Sequence, residues 1–178
     1  MNLFVNPVCR FTRWVAEHGL LTSPFTLLDA GVQGGVASRW EAFRPNLVIY
    51  GFDPLSETIE PLKARGRQNE HYFAMALGNE DGSRQLRVPE ITEASTLCPR
   101  EDTGLAIPEG LTANTQFRVV PIRRLDSLAD ERIISAADFI KLDCEGFEPE
   151  ILDGAQRDRK STRLNSSHIQ KSRMPSSA

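Results

Sequence analysis

The stretch Phe25-Thr26-Leu27-Leu28-Asp29-Ala30-Gly31-Val32-Gln33-Gly34-Gly35 constrains this chain more than any other. An apolar run of strand character breaks into an acid and three glycines, and residues 36–43 continue with helical character. Strand, glycine-rich turn and helix start make a nucleotide-binding βα unit. Glycines let the backbone approach a ligand where a Cβ would collide, and the helix behind them would present unpaired N–H groups to it. Spacing then narrows the ligand. A Gly-x-Gly-x-x-Gly fingerprint begun at Gly31 would need glycines where Gln33 and Val36 stand, and no Gly-Lys-Ser/Thr phosphate loop follows. The motif present is Asp29-x-Gly31-x-x-x-Gly35.

The pattern repeats downstream. Residues 45–53 read as a second strand, nearly continuous in apolar residues from Leu47 to Phe52, as a parallel strand covered on both faces should be. A helix is expected over residues 57–65, with Ser56 as its cap and Pro61 as a point of kink or restart. Residues 71–77 make a third strand, stopped by the turn cluster at 78–82. This β-α-β-α-β order predicts one right-handed half of a doubly wound α/β sheet. Residues 84–88 and 116–122 then alternate polar and apolar, which predicts two antiparallel additions around a long polar loop at 90–114. Residues 125–130 form a short helical or turn element. Residues 137–146 form a last strand ending in Asp143 and Glu145, and residues 147–155 start a helix. At the other end Val8, Phe11, Trp14, Val15 and Leu21 recur mostly at helical intervals, so residues 1–25 read as an N-terminal helical segment.

With 178 residues, 40% of them hydrophobic, the chain is long enough for one soluble domain with its own core. No apolar run approaches the roughly 20 residues that span a bilayer. Asn6 and Pro7 interrupt the N-terminal run, so no signal peptide is expected. Cys9, Cys98 and Cys144 form no disulfide or zinc pattern, which fits a cytoplasmic protein. A net charge of −3 argues against a nucleic-acid surface, and no membrane partner is expected. Residues 158–178 are set apart. Asp158-Arg159-Lys160-Ser161-Thr162-Arg163-Leu164-Asn165-Ser166-Ser167-His168 and Ser172-Arg173-Met174-Pro175-Ser176-Ser177-Ala178 resemble an in-frame translation of a sequencing adapter. They are expected to be a disordered, artefactual tail, leaving residues 26–157 as a domain cut off at its C-terminus.

The late strand carries the specific signature. Lys141-x-Asp143-x-Glu145-Gly146-x-Glu148, followed by Leu152-x-Gly154-Ala155, resembles the FkbM family of S-adenosylmethionine-dependent methyltransferases. Earlier pieces agree in order. They are Asp29-x-Gly31-x-x-x-Gly35; Phe52-Asp53-Pro54, where the family usually has Glu; Ala76-Leu77-Gly78 with Asp81-Gly82; Ser95-Thr96-Leu97; and Leu125-Asp126. Gln33-Gly34 departs from the family's usual Asn-aliphatic pair. The likeness covers roughly residues 26–155. It implies a Rossmann-like class I methyltransferase sheet, incomplete at the C-terminus, with S-adenosylmethionine as cofactor. It also implies an acceptor hydroxyl on a sugar, glycan or other small metabolite.

Within that resemblance each residue type has a chemical reason. Asp53 would accept the two ribose hydroxyls. Asp29 would meet the methionine ammonium directly or through water, or else cap the glycine turn shaped by Gly31 and Gly35. Ala76 and Leu77 would line the adenine pocket, or else belong to the core. Asp143 and Glu145, on one side of the strand by alternation, would supply a base to a hydroxyl acceptor. No metal is expected, because neither a His nor a third carboxylate is evidently placed to complete a site. Lys141 shares their parity and would neutralise one carboxylate. The alternatives are a nicotinamide-dependent oxidoreductase on a similar sheet, disfavoured by Gln33 and Val36, or an inactive gene fragment.

Overall fold

The computed structural model describes residues 9–21, 23–88, 97 and 115–156. Four parallel strands form its centre: β1 (Phe25–Ala30), β2 (Leu47–Asp53), β3 (Glu70–Ala74) and β7 (Phe139–Leu142), in the order β3-β2-β1-β7. The adjacency of β1 to β2, and of β1 to the late strand β7, is the crossover pattern of a doubly wound sheet. Both faces are covered because successive side chains alternate. Leu27 packs with Ile49, Trp40, Phe43 and Ile59 on one side, whereas Leu28 packs with Phe52, Ile140, Leu128 and Ile151 on the other. All of these side chains are buried. At about 1.5–3 kcal/mol for each large side chain fully buried, these two layers are the main stabilising term.

A second sheet, β4-β6-β5, covers the Leu28 face. It consists of β4 (Ala76–Leu77), β5 (Gly82–Val88) and β6 (Gln116–Arg123), with β5 and β6 antiparallel. The two antiparallel additions are thus present as expected. The expected third strand at 71–77 is instead two strands broken at Met75. In register, Ala74 pairs with Asp53, the last residue of β2. Pro54 follows and has no N–H to continue the ladder, so Ala76 and Leu77 pair with Ile122 and Arg123 instead. Asp81 locks this sheet to the helix α3 (Leu125–Asp130): its carboxylate accepts from Arg123 Nε, Arg124 N, Arg124 Nε and Ser127 Oγ at 2.6–3.0 Å.

Other local expectations also change. After the glycine turn the chain forms not an α-helix but a 3₁₀ segment, Ser38–Phe43. A three-residue repeat places Trp40 and Phe43 on one side, where both rings meet Phe25 at 5.6 and 4.8 Å. Arg44, held extended ahead of Pro45, ends it. Helix α2 (Ser56–Lys63) begins one residue before the expected start, with Leu55 rather than Ser56 at its N-cap. Pro61 sits inside it, removing the N–H that Glu57 would otherwise bond. The N-terminal helix α1 (Arg10–Glu17) docks through Thr12, whose hydroxyl donates to the Arg39 carbonyl at 2.7 Å. Helix α4 (Glu148–Asp153) closes the described chain. Ser95 and Thr96, the loop at 90–114 apart from Leu97, and residues 158–178 lie outside the described residues. No described helix is long and apolar enough to cross a membrane.

Candidate active site

The carboxyl ends of β1, β2 and β7 open into a cavity of about 440 Å³, a size typical of small-molecule sites. Ligands bind at this end of open parallel sheets, where crossovers leave on opposite sides. Gly31, Gln33 and Gly34 form one wall. Asp53, Pro54 and Leu55 continue it from β2, and Ala76, Leu77, Leu86 and Leu97 make an apolar side. Lys141, Asp143, Cys144 and Glu145 come from the end of β7, with Phe147 beyond them.

Gly31 is required on two counts. Its φ is +79°, a region that costs other residues about 1–2 kcal/mol. A Cβ there would also stand 2.1 Å from the Asp143 carbonyl oxygen. The close approach arises because Asp143 N donates to Ala30 O at 3.0 Å, drawing the end of β7 against the turn. Gly35 lies elsewhere. Its φ is +100°, and a Cβ would meet Arg65 and Leu62 of the α2 region rather than the cavity.

Asp29 is 1% exposed and does not line the cavity. Between it and the cavity stands Lys141, whose Nζ lies 2.8 Å from Asp29 Oδ1, 3.4 Å from the Gly31 carbonyl oxygen and 3.7 Å from Asp143 Oδ2. Lys141 therefore neutralises the buried acid first, as well as facing the expected one. Burial pushes the Asp29 carboxyl up to about 6, with Lys141 opposing the rise. The folded state thus holds a proton that the unfolded chain, near 3.8, has already lost. Stability falls as pH rises between these values, because the native state binds the extra proton. In urea melts, the wild type should lose about 2–3 kcal/mol relative to Asp29→Asn between pH 4 and pH 7. A constant difference across that range would remove Asp29 as the titrating group.

Asp53 is buried, faces the cavity, and accepts the Leu55 N–H through Oδ1 at 2.9 Å. It both ends β2 and presents a carboxylate to the ligand space. Burial raises its pKa, with the Leu55 bond opposing. Ala76 and Leu77 are buried and line the cavity, so their core and pocket roles coincide.

Asp143 and Glu145 both reach the cavity, but not by strand alternation, because β7 ends at Leu142. A turn carries them. Glu148 Oε1 accepts from Cys144 N at 2.9 Å and from Gly146 N at 3.4 Å. This holds Glu145 at φ +50° and Gly146 at +94°. A non-glycine residue in the left-handed region costs about 1–3 kcal/mol and persists where surrounding structure over-determines it. Cys144, between the acids, is not a ready nucleophile: burial pushes its thiol up to about 12. Among the described residues no group of three His, Cys, Asp or Glu side chains is placed to hold a metal ion.

Sequence reading did not assign Gln33, Gly34, Leu86 or Phe147 to the ligand space, nor Glu148 to holding the turn. Gln33 and Gly34 stood inside the glycine motif. Leu86 and Phe147 carry no signal apart from hydrophobicity, which core residues share.

Taken together, these features define a parallel-sheet α/β enzyme with a ligand cleft between its glycine turn and an acidic late strand. The chain belongs to the methyltransferase FkbM domain family, whose family model matches residues 29–176. By that membership it is a methyltransferase. No curated protein and no solved structure gives a significant match.

Proposed function

We propose that the methyl donor is S-adenosylmethionine and that the acceptor is a hydroxyl of a sugar, glycan or other small metabolite. The observation carrying the donor reading is Asp53. It is a buried carboxylate at the end of β2, facing the same cavity as Gly31 and the apolar Ala76–Leu77 wall. A carboxylate there suits adjacent ribose hydroxyls, and Ala76, Leu77, Leu86 and Leu97 suit the faces of a purine. The cavity volume also suits a ligand of that size. When bound, this donor supplies an electrophilic methyl group on a sulfonium.

The chain's own residues then have three tasks. Asp53 and the apolar wall orient the nucleoside. The glycine turn at Gly31, with Gly35 packed behind it, keeps that end of the site compact. Asp143 and Glu145 are the carboxylates at the open side, where one of them takes the proton of an acceptor hydroxyl as it attacks. Holding acceptor and methyl group in line contributes independently of the base. We place the reaction in the cytoplasm, with small-molecule acceptors rather than nucleic acid or membrane as partners.

Calorimetric titration tests the donor. Asp53→Ala should weaken S-adenosylmethionine binding by about 1.5–3 kcal/mol, the worth of a hydrogen bond to a charged group. Unchanged affinity would remove Asp53 from the site. Tight binding of NADH in place of S-adenosylmethionine would overturn the donor assignment in favour of the oxidoreductase alternative.

A further inference from the structure

In the antiparallel ladder of β5 and β6, Arg118 stands directly opposite Leu86, and opposed residues of such a ladder share a face. Leu86 is buried and lines the cavity, so Arg118 stands on the cavity side of the second sheet. There its Nη1 donates to Glu57 Oε1. Glu57 belongs to the first turn of α2, whose N-cap residue Leu55 lines the cavity and donates its N–H to Asp53. The Glu57 carboxylate acts on that acid as well: burial is the main cause of the raised Asp53 pKa, and the Glu57 charge adds to it. Arg118 thus has two effects at Asp53. It ties the sheet that carries Leu86 to the helix that follows Asp53, and it balances a negative charge that opposes ionisation there.

We propose that Arg118 is a positioning residue for the methyl donor, acting through Glu57: their ion pair holds the Leu86 wall and Asp53 at a fixed separation, so that the nucleoside is gripped between them. This role rests on S-adenosylmethionine being the donor. Arg118 does not line the cavity, so it acts on the ligand through the groups it holds. Its side chain is 42% exposed and that of Glu57 50%, so solvent screens the pair and its effect on binding is modest.

5′-Methylthioadenosine keeps the nucleoside and the thioether and lacks the amino-acid end, so it reports on this grip alone. In calorimetric titrations of the full chain, Arg118→Met should weaken S-adenosylmethionine and methylthioadenosine alike, by roughly two- to fivefold. Arg118→Lys keeps the charge and should recover most of that loss. In a Glu57→Gln background Arg118→Met should cost nothing further, because the partner charge is already gone. In steady-state kinetics the donor KM should rise by the same factor with kcat unchanged, since the pair is made equally before and during transfer. The same loss from Arg118→Met with and without Glu57 would overturn the assignment to this pair. Unchanged affinity in Arg118→Met, even with a lower urea midpoint, would leave the pair a tie between sheet and helix with no part in binding. That outcome overturns only the role of Arg118, whereas a wild type that binds neither compound overturns the donor reading and this role with it.

Discussion

Replacing Glu145 by Gln should lower methyl-transfer turnover by about 10²–10⁴, the usual worth of a positioned general base, while donor affinity changes by only a few-fold. The substitution nearly preserves shape while removing the negative charge and the capacity to take a proton. Glu145 lines the cavity at the end of β7, in a left-handed conformation enforced by Glu148 across the Cys144 and Gly146 amides. Conformational strain of this kind clusters at sites where a side chain must be aimed. Single-turnover kinetics with saturating donor would isolate the step. Turnover equal to wild type would show that the acid shapes the turn without handling the proton. A loss confined to low pH would instead point to a different base, because a Gln at 145 cannot titrate.

Gly31→Ala should be the most damaging single methyl in the molecule's site. Two penalties act together. The φ of +79° disfavours any Cβ, and the added atom would sit 2.1 Å from the Asp143 carbonyl. Left-handed strain and overpacking sum to about 2–5 kcal/mol, a large share of a typical domain stability of about 5–15 kcal/mol. Relief would require the end of β7 to move from Ala30, breaking the Asp143 N–Ala30 O bond and carrying Lys141 away from Asp29. Denaturant midpoints and donor affinity should therefore fall together. Gly34→Ala is the control: its φ is also positive, but a Cβ there meets nothing within 4 Å. It should suffer the conformational term alone. Equal losses in the two variants would mean that contact with Asp143 contributes nothing.

Much of the frame is legible in the sequence because its causes are local. The apolar run ending at Asp29, the run ending at Asp53, and the strand over Phe139–Leu142 just ahead of Asp143 each announce themselves through hydrophobicity and a polar stop. Their parallel order follows from the helical segments between them. Asp53 reaches the cavity from the carboxyl end of β2, whereas Asp143 and Glu145 are carried there by the turn after β7, and Ala76 and Leu77 by the second sheet. Local pattern could not decide what depends on register between distant segments. The break at Met75 exists because β2 runs out at Asp53, a fact about pairing rather than about the sequence of β3. The 3₁₀ turn over Ser38–Phe43 is chosen by where Trp40 and Phe43 find Phe25. Asp29 and Lys141 are 112 residues apart, and only the register of β1 on β7, which sets them side by side, makes a buried acid the anchor of a cavity lysine. Composition and spacing determine which residues are available at a sheet's working end. Long-range packing decides which of them touch one another, because that choice is made by contacts no short window of sequence contains.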